Sequence, residues 1–178
     1  YESLVVEIKR LIDFDFASLA LLDEQGDTFE IRQLWPEAKT VETDKVRLDD
    51  ESSCSAWVAR ERQQLMVTDF EEDATAFSKK EFSQDTRSCL CVPLYATGRI
   101  IGTLNLGSNR KEAFRRHDAA VLEQVAPHVA VAIRNATLLE NLQASLEDVT
   151  LAREKLHAAN EELKSLDEMK TNLLSNVS

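Results

Sequence analysis

The sequence predicts an α+β fold, in which an antiparallel sheet flanked by helices is followed by one long C-terminal helix. All eleven aromatic residues lie within the first 114 residues, and neither Gly nor Pro occurs between His128 and Ser178. The segments with strand-like alternation also fall in the first part of the chain. This change in composition predicts a globular part joined to an extended helical part.

In the globular part, the pattern predicts helices before and between the strands. Apolar residues at helical spacing indicate a helix over residues 3–12, and Ser52 or Ser53 can cap a short helix that ends at Arg60. Alternating residues bounded by turn residues predict strands over residues 16–22, 29–35, 64–68, 88–95 and 100–106. Residues 71–87 are predicted to form a loop with a helical turn. A further helix begins near Asp118, and Pro127 either kinks it or opens a new segment.

The C-terminal helix carries an apolar seam typical of a coiled coil. Its apolar positions, three and four residues apart in turn, are Leu139, Leu142, Leu146, Val149, Leu156 and Leu163. Arg153 and Asn160 occupy the two remaining seam positions, where polar residues weaken the pairing but fix its register. Beyond Leu163 the frame shifts. This break indicates either a slightly irregular coiled coil or a joint with two rotational states, and the seam itself predicts a parallel homodimer.

Charge and composition exclude several classes of partner. The net charge is −11 and the isoelectric point is about 4.8, which argues against nucleic acid and against an anionic membrane surface. No stretch approaches the roughly twenty apolar residues of a membrane span. No secretory pattern opens the chain, so a cytoplasmic location is expected.

The three cysteines are Cys54, Cys89 and Cys91. An odd number of cysteines in a chain with no secretory signal predicts free thiols. Cys89 and Cys91 share one face of a strand, where their spacing is near the upper limit for a disulfide. No metal site is predicted, because the histidines lie in the helical part, away from the cysteines.

Several motifs of the globular part, in the order they occur, resemble the GAF domain. They are Trp57-Val58-Ala59 before Asp69, the strand 90–94, the strand 101–106, and a run from Phe114 through Asp118 and Leu122 to residues 130–136. The resemblance covers about residues 3–138 and implies a module that senses a small molecule or a redox change. Residues 1–138 are therefore expected to form the GAF domain, 139–166 a signalling coiled coil, and 167–178 the start of a further helix.

Residues Lys170–Ser178 resemble the run that directly precedes the phosphoacceptor histidine of sensor histidine kinases. Leu173 stands where that family usually has Phe, and Ser175 where it has Ala. The resemblance implies the input half of a two-component kinase that ends just before its reactive histidine. It also implies that ATP and Mg²⁺ serve the parent kinase, which phosphorylates a response regulator, and that this segment alone is catalytically inactive.

A ligand pocket is predicted between the sheet and the 71–87 loop, although the ligand does not follow from the sequence. Its candidate wall residues are Trp57, Phe70, Phe77, Phe82, Cys89 and Cys91. For Trp57 and Phe70, ordinary core packing is the stronger interpretation. Cys54 lies in the first turn of a predicted helix, where the helix dipole can lower the pKa of a thiol, but neighbouring acidic residues oppose this effect and favour an inert residue.

Other ligands and functions remain open. A bilin site is not expected, because no Cys-His pair is present, and the histidines do not favour haem. A loose match to the residue set of cyclic-nucleotide-binding GAF domains comprises Asn109, Lys111, Phe114, Asp118 and Glu123, of which Phe114 and Asp118 are expected to anchor the long helix. The alternative functions are a free methionine sulfoxide reductase that uses the three cysteines, and a regulatory GAF module of another output enzyme such as a cyclase or phosphatase.

Overall fold

A computed structural model describes residues 2–23, 25–36, 45–72 and 77–177, with side chains from Val5 onward. The elements, in chain order, are helix α1 (Glu2–Leu11), strands β1 (Phe16–Leu22), β2 (Thr28–Trp35) and β3 (Lys45–Arg47), helix α2 (Cys54–Glu61), strands β4 (Leu65–Val67), β5 (Ser88–Ala96) and β6 (Arg99–Ser108), and helix α3 (Arg116–Val177). The chain divides into two compact units, residues 1–133 and 134–178.

The strands form one antiparallel sheet in the order β3-β2-β1-β6-β5-β4. Thr97 and Gly98 connect β5 to β6 with φ angles of 49° and 77°, the left-handed conformations of a tight hairpin turn. The predicted α+β class and every predicted strand are confirmed. The short edge strand β3 was not predicted, because its few residues, Lys45–Arg47, carry no alternation long enough to be recognised.

Alternation along the strands places a different core on each face of the sheet. In β5, Leu90, Val92 and Leu94 face one side and Cys89 and Cys91 the other, and all five are fully buried. The first side packs against α1 and the first part of α3, through residues such as Ile8 and Leu122. The second side is covered by α2 and by the 77–87 segment. This second side is where the sequence predicts a ligand pocket.

Helix α3 begins at Arg116 and continues through Pro127 to Val177. Proline therefore does not open a new segment. The carboxylate of Asp118 accepts the backbone N–H of Arg115 at 2.7 Å, and Phe114 is 5% exposed in the core. The expected anchoring of the helix by Phe114 and Asp118 is thus confirmed.

In the second unit, the predicted seam is exposed to solvent. The exposed fractions of Leu142, Leu146 and Val149 are 57%, 58% and 62%, and those of Leu156 and Leu163 are 70% and 64%. Asn160 is exposed in the same helix. A row of exposed aliphatic side chains at heptad spacing is compatible with a dimeric coiled coil. Among the described residues, no helix is long and apolar enough to cross a membrane.

Candidate functional site

Helix α2 is fixed over the sheet by caps at both of its ends. Ser53 is the N-cap, and its hydroxyl accepts the backbone N–H of Ala56 at 2.9 Å. Arg62 closes the C-terminus in a left-handed conformation, and its N–H donates to the carbonyl of Val58 at 2.9 Å. The expectation that Ser52 or Ser53 caps this helix is therefore resolved in favour of Ser53.

The structure brings all six predicted pocket residues into one aromatic–thiol cluster. It consists of Phe16, Cys54, Trp57, Val58, Leu65, Val67, Phe70, Phe77, Phe82, Cys89 and Cys91. The ring centroids of Trp57 and Phe77 lie 6.3 Å apart in an edge-to-face contact, and those of Phe70 and Phe82 lie 5.8 Å apart. The cluster is well packed, so a role of these six residues in ligand binding stays a prediction.

The three cysteines are free and fully buried in this cluster. The Sγ atoms of Cys89 and Cys91 are 4.0 Å apart, about twice the length of a disulfide bond. Burial opposes ionisation of Cys89, but hydrogen bonds from the Cys54 and Cys91 thiols outweigh it and lower the pKa of Cys89 to about 6. Burial holds the pKa of Cys91 well above its ordinary value. Hydrogen bonds among the thiols therefore favour ionisation of Cys89 over ionisation of Cys91.

A buried polar network lies next to the thiols. The Asn105 amide donates to the hydroxyls of Ser18 at 3.3 Å and Ser55 at 3.1 Å, and the Thr103 hydroxyl donates to Ser55 at 3.0 Å. The Ser18 hydroxyl donates to the backbone carbonyl of Glu81 at 3.0 Å. These contacts join β1, β6, α2 and the 77–87 segment.

Glu81 is the acidic centre of this network. Its Oε1 accepts the hydroxyl of Ser53 and, at 3.1 Å, the backbone N–H of Ser55 at the start of α2. The residue is 1% exposed. Burial raises the pKa of Glu81 from 4.5 to about 7, with a further contribution from Cys54. The carboxyl therefore exchanges its proton near neutral pH.

Two ion pairs hold the segments that surround the network. Arg87 donates to both carboxylate oxygens of Asp69, at 2.9 and 2.5 Å, and these bonds lower the pKa of Asp69 to about 2. Lys80 donates to Asp50 at 2.7 Å and similarly lowers the pKa of Asp50 to about 2. The first pair joins the residues after β4 to the residue before β5, and the second joins the turn before α2 to the residue before Glu81.

A groove of about 260 Å³ opens beside the network. Its lining residues are Phe16, Ile31, Gln33, Pro36, Lys80, Glu81, Phe82 and Ser83. Of the six predicted pocket residues, only Phe82 lines it. The groove lies between β1, β2 and the 80–83 segment, which places it nearer to β2 than the sequence predicts.

Four of the residues that loosely match a cyclic-nucleotide set make other contacts in the described chain. Phe114 lies in the core on the opposite face of the sheet, and Asp118 caps α3. The Lys111 ammonium pairs with Glu72 at 3.3 Å, while the backbone N–H of Asn109 donates to Asp15 at 2.8 Å. Within the described ranges, no three or more His, Cys, Asp or Glu side chains are arranged to hold a metal ion.

Sequence reasoning missed the polar network, although part of it leaves a recognisable pattern. Ser18, Thr103 and Asn105 interrupt otherwise apolar strands, and Ser18 lies opposite Asn105 in the register of β1 and β6. Polar residues on one buried face of two paired strands indicate a shared network. Glu81 leaves no comparable signal, because a glutamate in a polar loop ordinarily faces solvent.

Comparison with known proteins places the chain in a family. The sequence model of the GAF domain matches residues 1–134. The chain belongs to the GAF domain family. Modules of this family serve sensory roles in kinases, phosphodiesterases and other proteins.

Three relatives illustrate the range of proteins that contain such a domain. The GAF domain of a two-component sensor histidine kinase from Bacillus halodurans is 26% identical, with a TM-score of 0.61 over 77% of this chain and 92% of that one. The type II free methionine-R-sulfoxide reductase from Thermoplasma acidophilum is 16% identical, with a TM-score of 0.60 over 75% of this chain and 89% of that one, which is a likeness of fold. The probable 3',5'-cyclic phosphodiesterase pde-5 of Caenorhabditis elegans is 25% identical, over 83% of this chain and only 22% of its own length.

Proposed function

We propose that this GAF domain is the sensory input module of a two-component histidine kinase. The observation that carries the proposal is the exposed heptad seam of α3, which leads directly into the run Lys170–Ser178 that resembles the start of a phosphoacceptor helix. The identity of 26% to a histidine kinase GAF domain over 92% of that domain supports it. ATP and Mg²⁺ would serve the parent's catalytic domain, and a response regulator would receive the phosphate.

In this mechanism, a ligand or redox event at the site is passed to α3 through the sheet. The polar network lies on one face of β1 and β6, and Leu19, Leu104 and Leu106 of the same strands pack against the start of α3 on the other face. A shift of these strands changes the packing of two parallel α3 helices. That packing sets the position of the acceptor histidine relative to the ATP-binding domain.

A chimeric kinase tests the proposal. Residues 1–178 are fused in heptad register to the acceptor helix and catalytic domain of an unrelated histidine kinase, and autophosphorylation with labelled ATP is measured. Inserting four residues between Leu163 and Lys170 shifts the seam relative to the acceptor helix and should change the activity several-fold, whereas inserting seven residues preserves the phase and should change it little. Equal activity of all three chimeras would contradict the proposal.

A regulatory module of a phosphodiesterase is the second candidate, favoured by the 25% identity to the Caenorhabditis elegans protein. The Lys170–Ser178 run has no role in that function. The chimera distinguishes the two candidates, because a phosphodiesterase module has no reason to control an acceptor helix in a phase-dependent way. The reductase alternative is supported only by fold, and its chemistry would need substrate access to cysteines that are fully buried.

A further inference from the structure

The 77–87 segment lies directly on the sheet beside Cys89. Gly107 of β6 pairs with Cys89 of β5, so a side chain at either position points to the same face of the sheet. A Cβ at Gly107 would lie 3.2 Å from the ring of Phe82 and 3.0 Å from the methyl group of Thr86. The segment therefore covers this part of the face, and Cys89 beside it is fully buried.

The segment is anchored to the sheet and to α2, but it includes no helix or strand. The Ser78 N–H donates to the carbonyl of Ser52 at 2.8 Å, and the Glu81 carbonyl accepts a hydrogen bond from the Ser18 hydroxyl at 3.0 Å. Within the described chain, Glu81 Oε2 and Thr86 Oγ1 are buried without a hydrogen-bond partner. A segment with no regular structure and with unsatisfied polar groups belongs to the parts of a fold that open locally at low cost.

Glu81 both fastens the segment and opposes its closure when charged. Its Oε1 accepts hydrogen bonds from the Ser53 hydroxyl and, at 3.1 Å, from the Ser55 backbone N–H, which join the segment to the start of α2. Its Oε2 has no such donor in the described chain, and the residue is 1% exposed. A neutral carboxyl therefore costs less to bury here than a carboxylate. Burial accordingly raises the pKa of Glu81 to about 7.

Among the described residues, the titratable groups around Glu81 do not reverse this balance. Cys54 of α2 and Cys89 of β5 interact unfavourably with the carboxylate when they are ionised. Lys80 attracts it, but the Lys80 ammonium pairs with Asp50 at 2.7 Å. The network side chains that β1 and β6 contribute carry no charge.

We propose that Glu81 is a proton-dependent switch, whose neutral carboxyl holds residues 77–87 closed over Cys89 and whose ionisation releases the segment and uncovers the thiol. In the open state the carboxylate regains water, so the charge that is unfavourable in the closed state is stabilised. The closed state binds the proton more tightly, and opening therefore increases as pH rises from about 5 to about 8. The switch lies within the first unit and goes beyond the proposed function, because it requires neither a ligand nor a kinase.

Thiol labelling of the folded full chain tests the switch. The rate of reaction with dithiodipyridine is measured for the wild type and for Glu81→Gln across the pH range, and labelling of Cys89 is confirmed by mass spectrometry. Glu81→Gln stays neutral at every pH and keeps the shape of the carboxyl. The ratio of the wild-type rate to the variant rate cancels the pH dependence of the thiol chemistry. It should rise at least about tenfold between about pH 5 and about pH 8.

Hydrogen exchange separates local opening from complete unfolding. After correction for its intrinsic pH dependence, exchange of the Ser78 amide should accelerate with pH in the wild type and not in Glu81→Gln. Low concentrations of urea should accelerate Ser78 exchange and Cys89 labelling less than exchange of the amides of β5 and β6, because a local opening exposes less surface than complete unfolding. This measurement on the wild type alone tests the switch even if Glu81→Gln folds poorly.

The matched control, Glu51→Gln, removes one negative charge at an exposed position and should be labelled like the wild type at each pH. Three results would overturn the inference. They are a rate ratio that stays constant with pH, Cys89 labelling with the urea dependence of complete unfolding, and corrected Ser78 exchange that does not change with pH. A hydrated Glu81 carboxyl gives the first result. Failure of the chimeric kinase would contradict the two-component role alone, since none of these measurements uses kinase output.

Discussion

Glu81 joins three parts of the first unit. Its backbone carbonyl accepts a hydrogen bond from the Ser18 hydroxyl of β1. Its carboxyl accepts hydrogen bonds from the Ser53 hydroxyl and the Ser55 backbone N–H at the N-terminus of α2. The N-terminus of a helix favours a negative charge, but burial opposes it and is the larger effect, since the pKa of Glu81 is raised to about 7. The residue is thus held in a position where its charge is costly when no cation faces it.

This cost predicts that Glu81 makes stability depend on pH. The folded-state pKa of about 7 lies above the ordinary value of 4.5, so the folded chain binds the proton more tightly than the unfolded chain. At low pH Glu81 is protonated and does not reduce the free energy of unfolding. Its ionisation destabilises the fold by up to about 3 kcal/mol as pH rises from about 5 to about 8. The Glu81→Gln variant should lack this loss, as measured by urea unfolding across that range.

The comparison isolates Glu81 because every other titrating group is shared by the two proteins. Glu51→Gln serves as the control for removing one negative charge, and it should follow the wild type at each pH. Asp50 and Asp69, whose pKa values are lowered to about 2, lose their stabilising pairs only at much lower pH. If the free energy of unfolding of the wild type changes with pH in parallel with that of Glu81→Gln between about pH 5 and pH 8, the carboxyl of Glu81 is hydrated in the folded protein.

The thiols lead to a second prediction at the residue scale. Because Cys54, Cys89 and Cys91 are free, the thermal midpoint should be the same with and without a reductant. Denatured, unreduced protein should react with three equivalents of a thiol reagent, one for each cysteine. A lower midpoint under reduction, or fewer than three reactive thiols, would reveal a disulfide that supports the fold.

At the scale of elements, β1 and β6 approach each other closely where β6 has a glycine. Gly102 lies opposite Leu21, and a Cβ at this position would meet the carbonyl oxygen of Ala20 and, at 3.0 Å, the Leu21 side chain. Gly102 is therefore required by packing and not by its φ angle.

Gly102→Ala should destabilise the chain by about 2–3 kcal/mol, because the added methyl group meets backbone atoms that cannot move away. Gly98→Ala is a matched control in the adjoining hairpin turn. A Cβ there meets no atom within 4 Å, but φ is 77°, so the expected cost is only about 1 kcal/mol. The free energy of unfolding is measured by chemical denaturation. Equal losses of stability in the two variants would show that β1 and β6 adjust to the methyl group at position 102.

The elements were largely predictable because each has a strong local pattern. Strands β5 and β6 are long and bounded by a turn with glycine, and α2 has a serine cap, so local residues determine them. The strand β3 depends on pairing with β2, a contact that short sequence windows do not contain. The same reason explains why the polar network was missed, since Glu81 joins it only by folding against Ser18 and Ser55.

At the scale of the whole molecule, the seam distinguishes this chain from a GAF domain alone. Within residues 134–177, the side chains of Leu139, Leu142, Leu146, Val149, Leu156 and Leu163 expose more than half of their surface. A single helix with such a stripe is marginal in water, since no tertiary packing stabilises it. A second copy would bury the stripe. Parallel pairing also lets Asn160 bond to its own copy.

The dimer is tested by placing charges in the seam. Leu146→Asp combined with Leu156→Asp should give a monomer by light scattering, because unpaired carboxylates buried in the seam cost several kcal/mol each. The matched control, Ala144→Asp with Leu151→Asp, adds the same charge to the same helix outside the seam and should remain a dimer. In both variants the thermal transition of residues 1–133 should persist, since no substitution touches that unit. If the seam variant remains a dimer, the GAF units carry the association, and a mechanism that acts through the packing of α3 loses its support.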